Sequence, residues 1–266
     1  MNSASLLKCF SGIAILLCLS LHQVKPKQSP LPAGEDCSGI WKKDPKSASG
    51  VYWIKPAGAP QSFQAYCDMN QDGGSTVIQR HNGEDSLDFN RMWQEYKDGF
   101  GNPAGEHWIG LEKIYLLSNQ PNKKSELSVN LQSFNNDKAC SKYESFQISN
   151  EAKGYQLSLG AYSGTGGDAF RGQDNIQDYK SQEGSKFSTI DMDNDDCNPC
   201  IRGDIAMNSC SQSHDSGWWF SACGMADLNG EWHSKDNYMD WESSIYWKTW
   251  KPRESMKMSE LKLKTV

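Results

Sequence analysis

Hydrophobic and polar positions change rhythm three times along the chain. Between Gly50 and His81 the apolar residues fall in short aromatic and β-branched runs, GVYWIKP, QSFQAYCDM and GGSTVIQRH, separated by Gly-, Ala- and Pro-containing breaks. Runs of this type read as a hairpin-like pair followed by a third strand. From Asp88 to Gly99 the spacing becomes helical. Phe89, Met92, Trp93 and Tyr96 stand at i, i+3, i+4 and i+7, with Asp88 placed to cap the start and Gly99 to end it. WIGLEKIYLLSNQ (108–120) predicts a second short helix with Ile114 and Leu117 on one side. SELSVNLQSF, ESFQIS and YQLSLGAYSG then alternate polar and apolar residues, as half-buried strands do.

After Gly160 regular periodicity stops. Gly, Asp, Asn and Ser dominate, interrupted by Trp218, Trp219, Trp232, Trp241, Trp247 and Trp250. A loop-rich lobe of this kind needs aromatic anchors, disulfides or a bound ion to hold its shape. Trp218 and Trp219 read as core anchors. Trp241, between Asp240 and Glu242, reads as exposed.

The first twenty residues carry a different signal. Lys8 precedes the apolar run Cys9–Leu19 and the small Ser20. The run is shorter than the roughly 20 residues that span a bilayer and reads as a secretory signal peptide, 1–20, which places the mature chain outside the cell. Residues 21–35 are Pro-rich and polar, a flexible leader without heptads. Residues 36–266 read as one continuous domain. The chain has 27 Lys and Arg against 33 Asp and Glu, a net charge of −6, and loss of Lys8 deepens it by one. That balance argues against nucleic acid or an anionic membrane as partner, and no later segment predicts membrane insertion. No N-x-Ser/Thr sequon occurs.

Nine cysteines are present, and loss of Cys9 and Cys18 leaves Cys37, Cys67, Cys140, Cys197, Cys200, Cys210 and Cys223. In an oxidising compartment most of these pair. The odd count leaves one thiol to stay free, to cap a small molecule or to link two copies as a disulfide-bonded homodimer. Cys197-x-x-Cys200 has spacing suited to zinc together with Cys210, Cys223 or His214, but secretion favours disulfides. A direct Cys197–Cys200 bridge closes a very small loop, and Cys140 is an alternative partner for either one.

Cys197 follows a run in which Asp191, Asp193, Asp195 and Asp196 fall within six residues. The run reads equally as a cation loop or a solvated acidic turn. It is no EF-hand, because Asp196 stands where that loop requires Gly and Arg202 where it requires Glu. Arg202-Gly203-Asp204 follows, a motif of the kind integrins read. His214-Asp215-Ser216 collects the residue types of a catalytic triad, but adjacent side chains on an extended segment face apart. No nucleophile elbow, zinc-protease helix or phosphate loop occurs, and His22, His81, His107 and His233 are scattered. No enzymatic activity is predicted.

CSGIW, YCDM, DGGSTVIQRHNG, DFNRMWQEYKDGFGNPAGEHWIGLEKIYLLSNQ, YSGTGGDAF, KFSTIDMDND, SGWWFSAC, LNGEW and IYWKTWK together resemble the fibrinogen C-terminal domain family, in its order, over about 36–266. The resemblance implies an α+β fold with a small disulfide-stapled N-terminal unit, a central antiparallel sheet with short helices, and a loop-rich lobe holding calcium and a ligand pocket. It implies pairing of Cys37 with Cys67 and Cys210 with Cys223. It casts Asp193 and Asp195 as side-chain ligands of Ca2+, with Cys197 at the first carbonyl position. It places a pocket for acetylated sugars or peptide ends around Ser213, His214, Ala222, Cys223, Gly224, Tyr238, Trp241 and Glu242, with a cis Ala222–Cys223 bond. The family's usual Trp is replaced by Ser75 and by Ile190, and the segment from Asp196 to Cys210 is longer than usual. Fibrinogen's acceptor residues are not reproduced at most pocket positions, so binding of fibrin knobs is not implied. The implied function is that of a secreted, calcium-supported recognition or signalling protein for a cell-surface protein receptor or glycan. The alternatives are an integrin adhesion ligand acting through Arg202-Gly203-Asp204 and an innate-immune lectin for acetylated sugars.

Overall fold

A computed structural model describes residues 31–172, 180–202, 205–234 and 243–266. The predicted signal peptide, most of the leader, Gly203, Asp204, Tyr238, Trp241 and Glu242 lie outside the described residues. Among the described residues no helix is long and apolar enough to cross a membrane.

The aromatic and β-branched runs near the start form β1 (Gly50–Ile54), β2 (Phe63–Asn70) and β3 (Gly73–His81), paired antiparallel in sequence. Ahead of them α1 (Cys37–Lys43) is capped by Asp36, whose carboxylate accepts from the Gly39 amide at 2.7 Å. The Cys37–Cys67 disulfide fastens α1 to β2.

Short strands β4 (Phe100–Gly101) and β5 (His107–Trp108) flank β3, and α2 (Trp93–Asp98) precedes them. The helix expected from Asp88 starts only at Trp93. The Asp88 carboxylate turns to the Asn90 amide at 2.8 Å, an Asx turn that holds this stretch out of the helix. Phe89 and Tyr96 are buried, whereas Met92 is exposed. Gly99 ends the helix at φ 92°, open to glycine at little cost. The second predicted helix is α3 (Leu111–Ser118), with Ile114 and Leu117 buried.

The alternating segments form β6 (Ser125–Gln132), β8 (Phe146–Ile148), β9 (Leu157–Leu159) and β10 (Tyr162–Gly164). Two further strands complete the sheet: β7 (Lys138–Tyr143) and β15 (Met258–Thr265), the latter preceded by the short lobe strands β11 (Cys200–Arg202), β12 (Ile205–Met207), β13 (Ala226–Asp227) and β14 (Tyr246–Trp247). The main order is β1-β2-β3-β15-β6-β7-β10. In β15, Ser259, Leu261, Leu263 and Thr265 are buried, while three of the intervening positions are charged. Its long lysine stems flank a buried face, which hides the strand from a search for apolar runs.

Aromatic rings bind the sheet to the lobe. Tyr96 meets Trp108 with centroids 5.6 Å apart, Phe187 meets Trp219 at 5.1 Å, and Phe170 stacks on Trp218 at 5.7 Å. Trp218 and Trp219 are fully buried, the anchor role read from the sequence.

One carboxylate organises the loop after β3. Glu106 is buried and accepts from His81 at 2.7 Å and from the amides of Asn82, Gly83, Asp85 and Leu87 at 2.7–3.2 Å. Burial pushes its carboxyl up, but these donors outweigh it and bring the pKa down to about 2. The depressed value means the stabilisation is complete above the ordinary 4.5 and is lost as pH falls towards 2. Glu106→Gln is expected to cost roughly 2–3 kcal/mol at neutral pH in urea unfolding, with the gap closing as the pH is lowered through 4 towards 2.

Candidate functional site

The acidic run is split by its local folding. Thr189 and Met192 exchange backbone hydrogen bonds in a tight turn, each 3.0 Å. Asp191 faces away from the others. Its carboxylate accepts from the Trp93 amide at 2.8 Å and the Thr189 hydroxyl at 2.7 Å, pinning the start of α2. Asp193 is exposed and accepts from the Asp195 amide at 3.3 Å.

Asp195 is 1% exposed, and both of its carboxylate oxygens are engaged by backbone. One accepts from the Cys197 amide at 2.9 Å, the other from the Cys210 amide at 2.6 Å. The Asp195 carbonyl accepts from the Ala222 amide at 3.1 Å. Three points of the lobe, far apart in sequence, therefore converge on one residue. Burial pushes the Asp195 pKa up to about 6, the two amides oppose the rise, and the neighbouring Asp193 adds to it.

Asp193, Asp195, Asp196 and Glu183 line an open cleft of about 950 Å³, with Lys186 and the amides Gln156, Asn198 and Asn208 on its walls. The cleft wall carries carboxylate and amide oxygens, the donor class that hard divalent cations take. Glu183 and Lys186 had no local signature; they join the cleft because the backbone preceding Phe187 folds back beside the acidic run.

Six of the seven cysteines among the described residues form three bridges: Cys37–Cys67, Cys197–Cys200 and Cys210–Cys223. Cys140 is free and partly exposed. The alternative pairing of Cys140 with Cys197 or Cys200 is thus replaced by the short bridge. Cys140 is fixed in β7 opposite Asn130 of β6, while the turn after Asp195 returns Cys200 to Cys197. Burial pushes the Cys140 thiol pKa up.

Around the second lobe bridge, α4 (Cys210–His214) carries His214, fully buried and stacked on Phe220 with centroids 5.3 Å apart. The Ser213 hydroxyl donates to the Ser209 carbonyl at 2.9 Å. The Ala222–Cys223 bond is trans, a correction to the cis expectation; among the described residues the cis bond is Asn198–Pro199. Instead Ala222, Cys223 and Gly224 take successive φ values of 47°, 68° and 76°. This left-handed run, costly for the two non-glycine residues, bends the backbone where a cis bond was expected. His214, Cys223 and Gly224 are buried, whereas Ser213 and Ala222 are half-buried. Arg202 ends β11; Gly203 and Asp204 lie outside the described residues, as do Tyr238, Trp241 and Glu242.

The triad-like residues separate. Asp215 accepts from Asn90 at 3.2 Å, and the Ser216 hydroxyl donates at 2.6 Å to Asp227. Asp227 is buried, which pushes its pKa up to about 7 against the hydrogen bond from Ser216. A second cleft of about 490 Å³ lies between His81, Asp88, Asn90, Asp215, Glu231 and Trp232. Its walls come from loops that meet across a separation of 149 residues, beyond the reach of local pattern.

The family model for the C-terminal globular domain of the fibrinogen beta and gamma chains matches residues 33–266. Bovine (Bos taurus) fibrinogen-like protein 1 is 38% identical over 220 residues, 81% of this chain and 66% of the relative. Bovine angiopoietin-4 is 38% identical over 215 residues, 80% of this chain and 39% of the relative. The chain therefore spans about two thirds of the first relative's length and well under half of the second's. The fibrinogen-like globe domain of human ANGPTL2 superposes with a TM-score of 0.73 at 31% identity, covering 86% of this chain and 98% of that one. Lamprey fibrin D-dimer, complexed with the peptide Gly-His-Arg-Pro-amide, gives 0.76 at 34% identity, covering 89% and 74%.

The raised Asp195 value has a definite sign. The folded state binds its proton more tightly than the unfolded state does, so with cations chelated the contribution of Asp195 to stability falls as pH rises from 3.8 to about 6. Asp195→Asn is expected to flatten this slope in thermal melts taken in chelator; an unaltered slope assigns the titration to another group.

Proposed function

The chain belongs to the fibrinogen C-terminal domain family, and from that membership we propose that it is a secreted, non-enzymatic recognition or signalling protein. In this reading it binds a cell-surface protein receptor or glycan through its loop-rich lobe, supported by calcium. The observation that carries the calcium part is the acidic cleft. Asp193 and the remaining lone pairs of Asp195 would hold the ion, with the backbone of Cys197 beside them. The ion would offset the repulsion between the two carboxylates and stiffen the segment that fixes Cys210 and Ala222. Secretion is supported by three bridges in a chain of this size and by the pattern of residues 1–20. The lamprey relative's peptide complex supports a protein or peptide ligand over a purely structural role.

Calcium at about a hundredfold its dissociation constant is expected to raise the melting temperature by roughly 5–10 °C. Asp193→Ala with Asp195→Ala should abolish that rise and reduce calcium-dependent binding of the purified protein to cell surfaces or a glycan array. Equal melting of the wild type in calcium and in chelator removes calcium from the reading. Binding that survives chelation leaves a ligand-binding lobe without an ion.

The partly exposed Cys140 supports a covalent homodimer. Non-reducing electrophoresis is expected to show a dimer that Cys140→Ser converts to monomer; a wild-type protein that migrates only as monomer excludes it.

A further inference from the structure

The sulfurs of Cys197, Cys200, Cys210 and Cys223 all lie within 4.8 Å of one another. Two disulfides serving only as separate staples have no need of this proximity. Its backbone cause is Asp195, whose two carboxylate oxygens take the amides of Cys197 and Cys210 at 2.9 and 2.6 Å. One group thus draws a cysteine from each bridge to the same place.

We propose that Cys200 is a site of covalent modification by a low-molecular-weight thiol of the glutathione class, and that the exchange it starts passes to Cys210–Cys223. Access selects Cys200, which is partly exposed while the other three cysteines are buried. Leaving-group stability selects the same sulfur. The Cys200 amide donates to the Cys197 sulfur at 3.1 Å and stabilises it as a departing thiolate.

The chemistry balances without an external oxidant. The incoming thiolate bonds to the Cys200 sulfur as the Cys197–Cys200 bond breaks, and Cys197 leaves with the electron pair. Cys197 thiolate then attacks the adjacent bridge. A bond forms between Cys197 and Cys210 or Cys223, and the other cysteine leaves as thiolate. One free thiol is consumed, one protein thiol is released, and the number of S–S bonds is unchanged.

The second step reaches the ligand lobe. Cys223 lies in the left-handed run Ala222–Gly224, tied to the acidic segment by the Ala222 amide on the Asp195 carbonyl at 3.1 Å. Re-pairing of Cys223 releases a constraint on that run. The site is independent of which ligand the lobe binds, and its test does not use ligand binding.

The experiment uses the secreted, processed Cys140→Ser protein without residues 1–20, so that neither Cys140 nor Cys9 or Cys18 starts the reaction. It is incubated with limiting reduced glutathione, quenched in acid with a maleimide, and mapped by peptide mass spectrometry over time. The expected order is a glutathione adduct on Cys200 first, then peptides linking Cys197 to Cys210 or Cys223, with Cys37–Cys67 intact. Adding Cys197→Ser and Cys200→Ser should slow opening of Cys210–Cys223 by about tenfold or more. A first adduct on Cys210 or Cys223, or equal opening with and without Cys197 and Cys200, overturns the proposal. If the multiple variant fails to fold, the order of events in the Cys140→Ser protein decides alone.

Discussion

Among the described residues, the two halves of the main sheet are joined through β15. On one side lie β1, β2 and β3, on the other β6, β7 and β10, and Met258–Thr265 pairs with both β3 and β6. Leu261 and Leu263 are buried on one face of that strand. The same strand positions both peripheral units. The Thr265 amide donates to Ser38 of the stapled helix at 2.8 Å, and the Ser259 hydroxyl donates to Leu228 of the lobe at 3.3 Å. The stapled unit, the sheet and the lobe depend on one eight-residue ladder, so the site inherits its position from residues that take no part in it.

Much of the sheet was legible because its early strands follow the two-residue alternation and aromatic content that strands require. β15 and β7 were not, since Lys262, Lys264, Lys138 and Lys142 break the apolar signal while their neighbours remain buried. The start of α2 was misplaced because Asp88 caps an Asx turn as readily as a helix. At the site, residue type marks the acidic run from Asp191 to Asp196, and the family resemblance singles out Asp193 and Asp195 within it. Only the fold shows Asp191 spent on the Trp93 amide. The C-x-x-C spacing offers the Cys197–Cys200 bridge as one alternative, but the grip of Asp195 on Cys210 is a fact of three-dimensional return that no local pattern carries.

Electrostatics and covalent chemistry meet at Asp195. A buried carboxylate beside a second carboxylate is costly, and backbone amides supply only part of the compensation. In the proposed calcium-bound form the ion would supply more of it. The amides that do the remaining work belong to two cysteines of different bridges, which is why charge neutralisation and sulfur proximity arise from one arrangement rather than two.

That arrangement also separates what is fixed from what can vary. The single carboxylate holds the Cys197 and Cys210 amides, so both ends of the segment between Cys200 and Cys210 are tied down, one of them through the Cys197–Cys200 bridge. Loop closure costs only about 0.6 kcal/mol for each doubling of length once the ends are held. The segment is thereby a natural graft point, where peptides of different length and sequence can be displayed between two anchored cysteines while the sheet and the aromatic core keep their register.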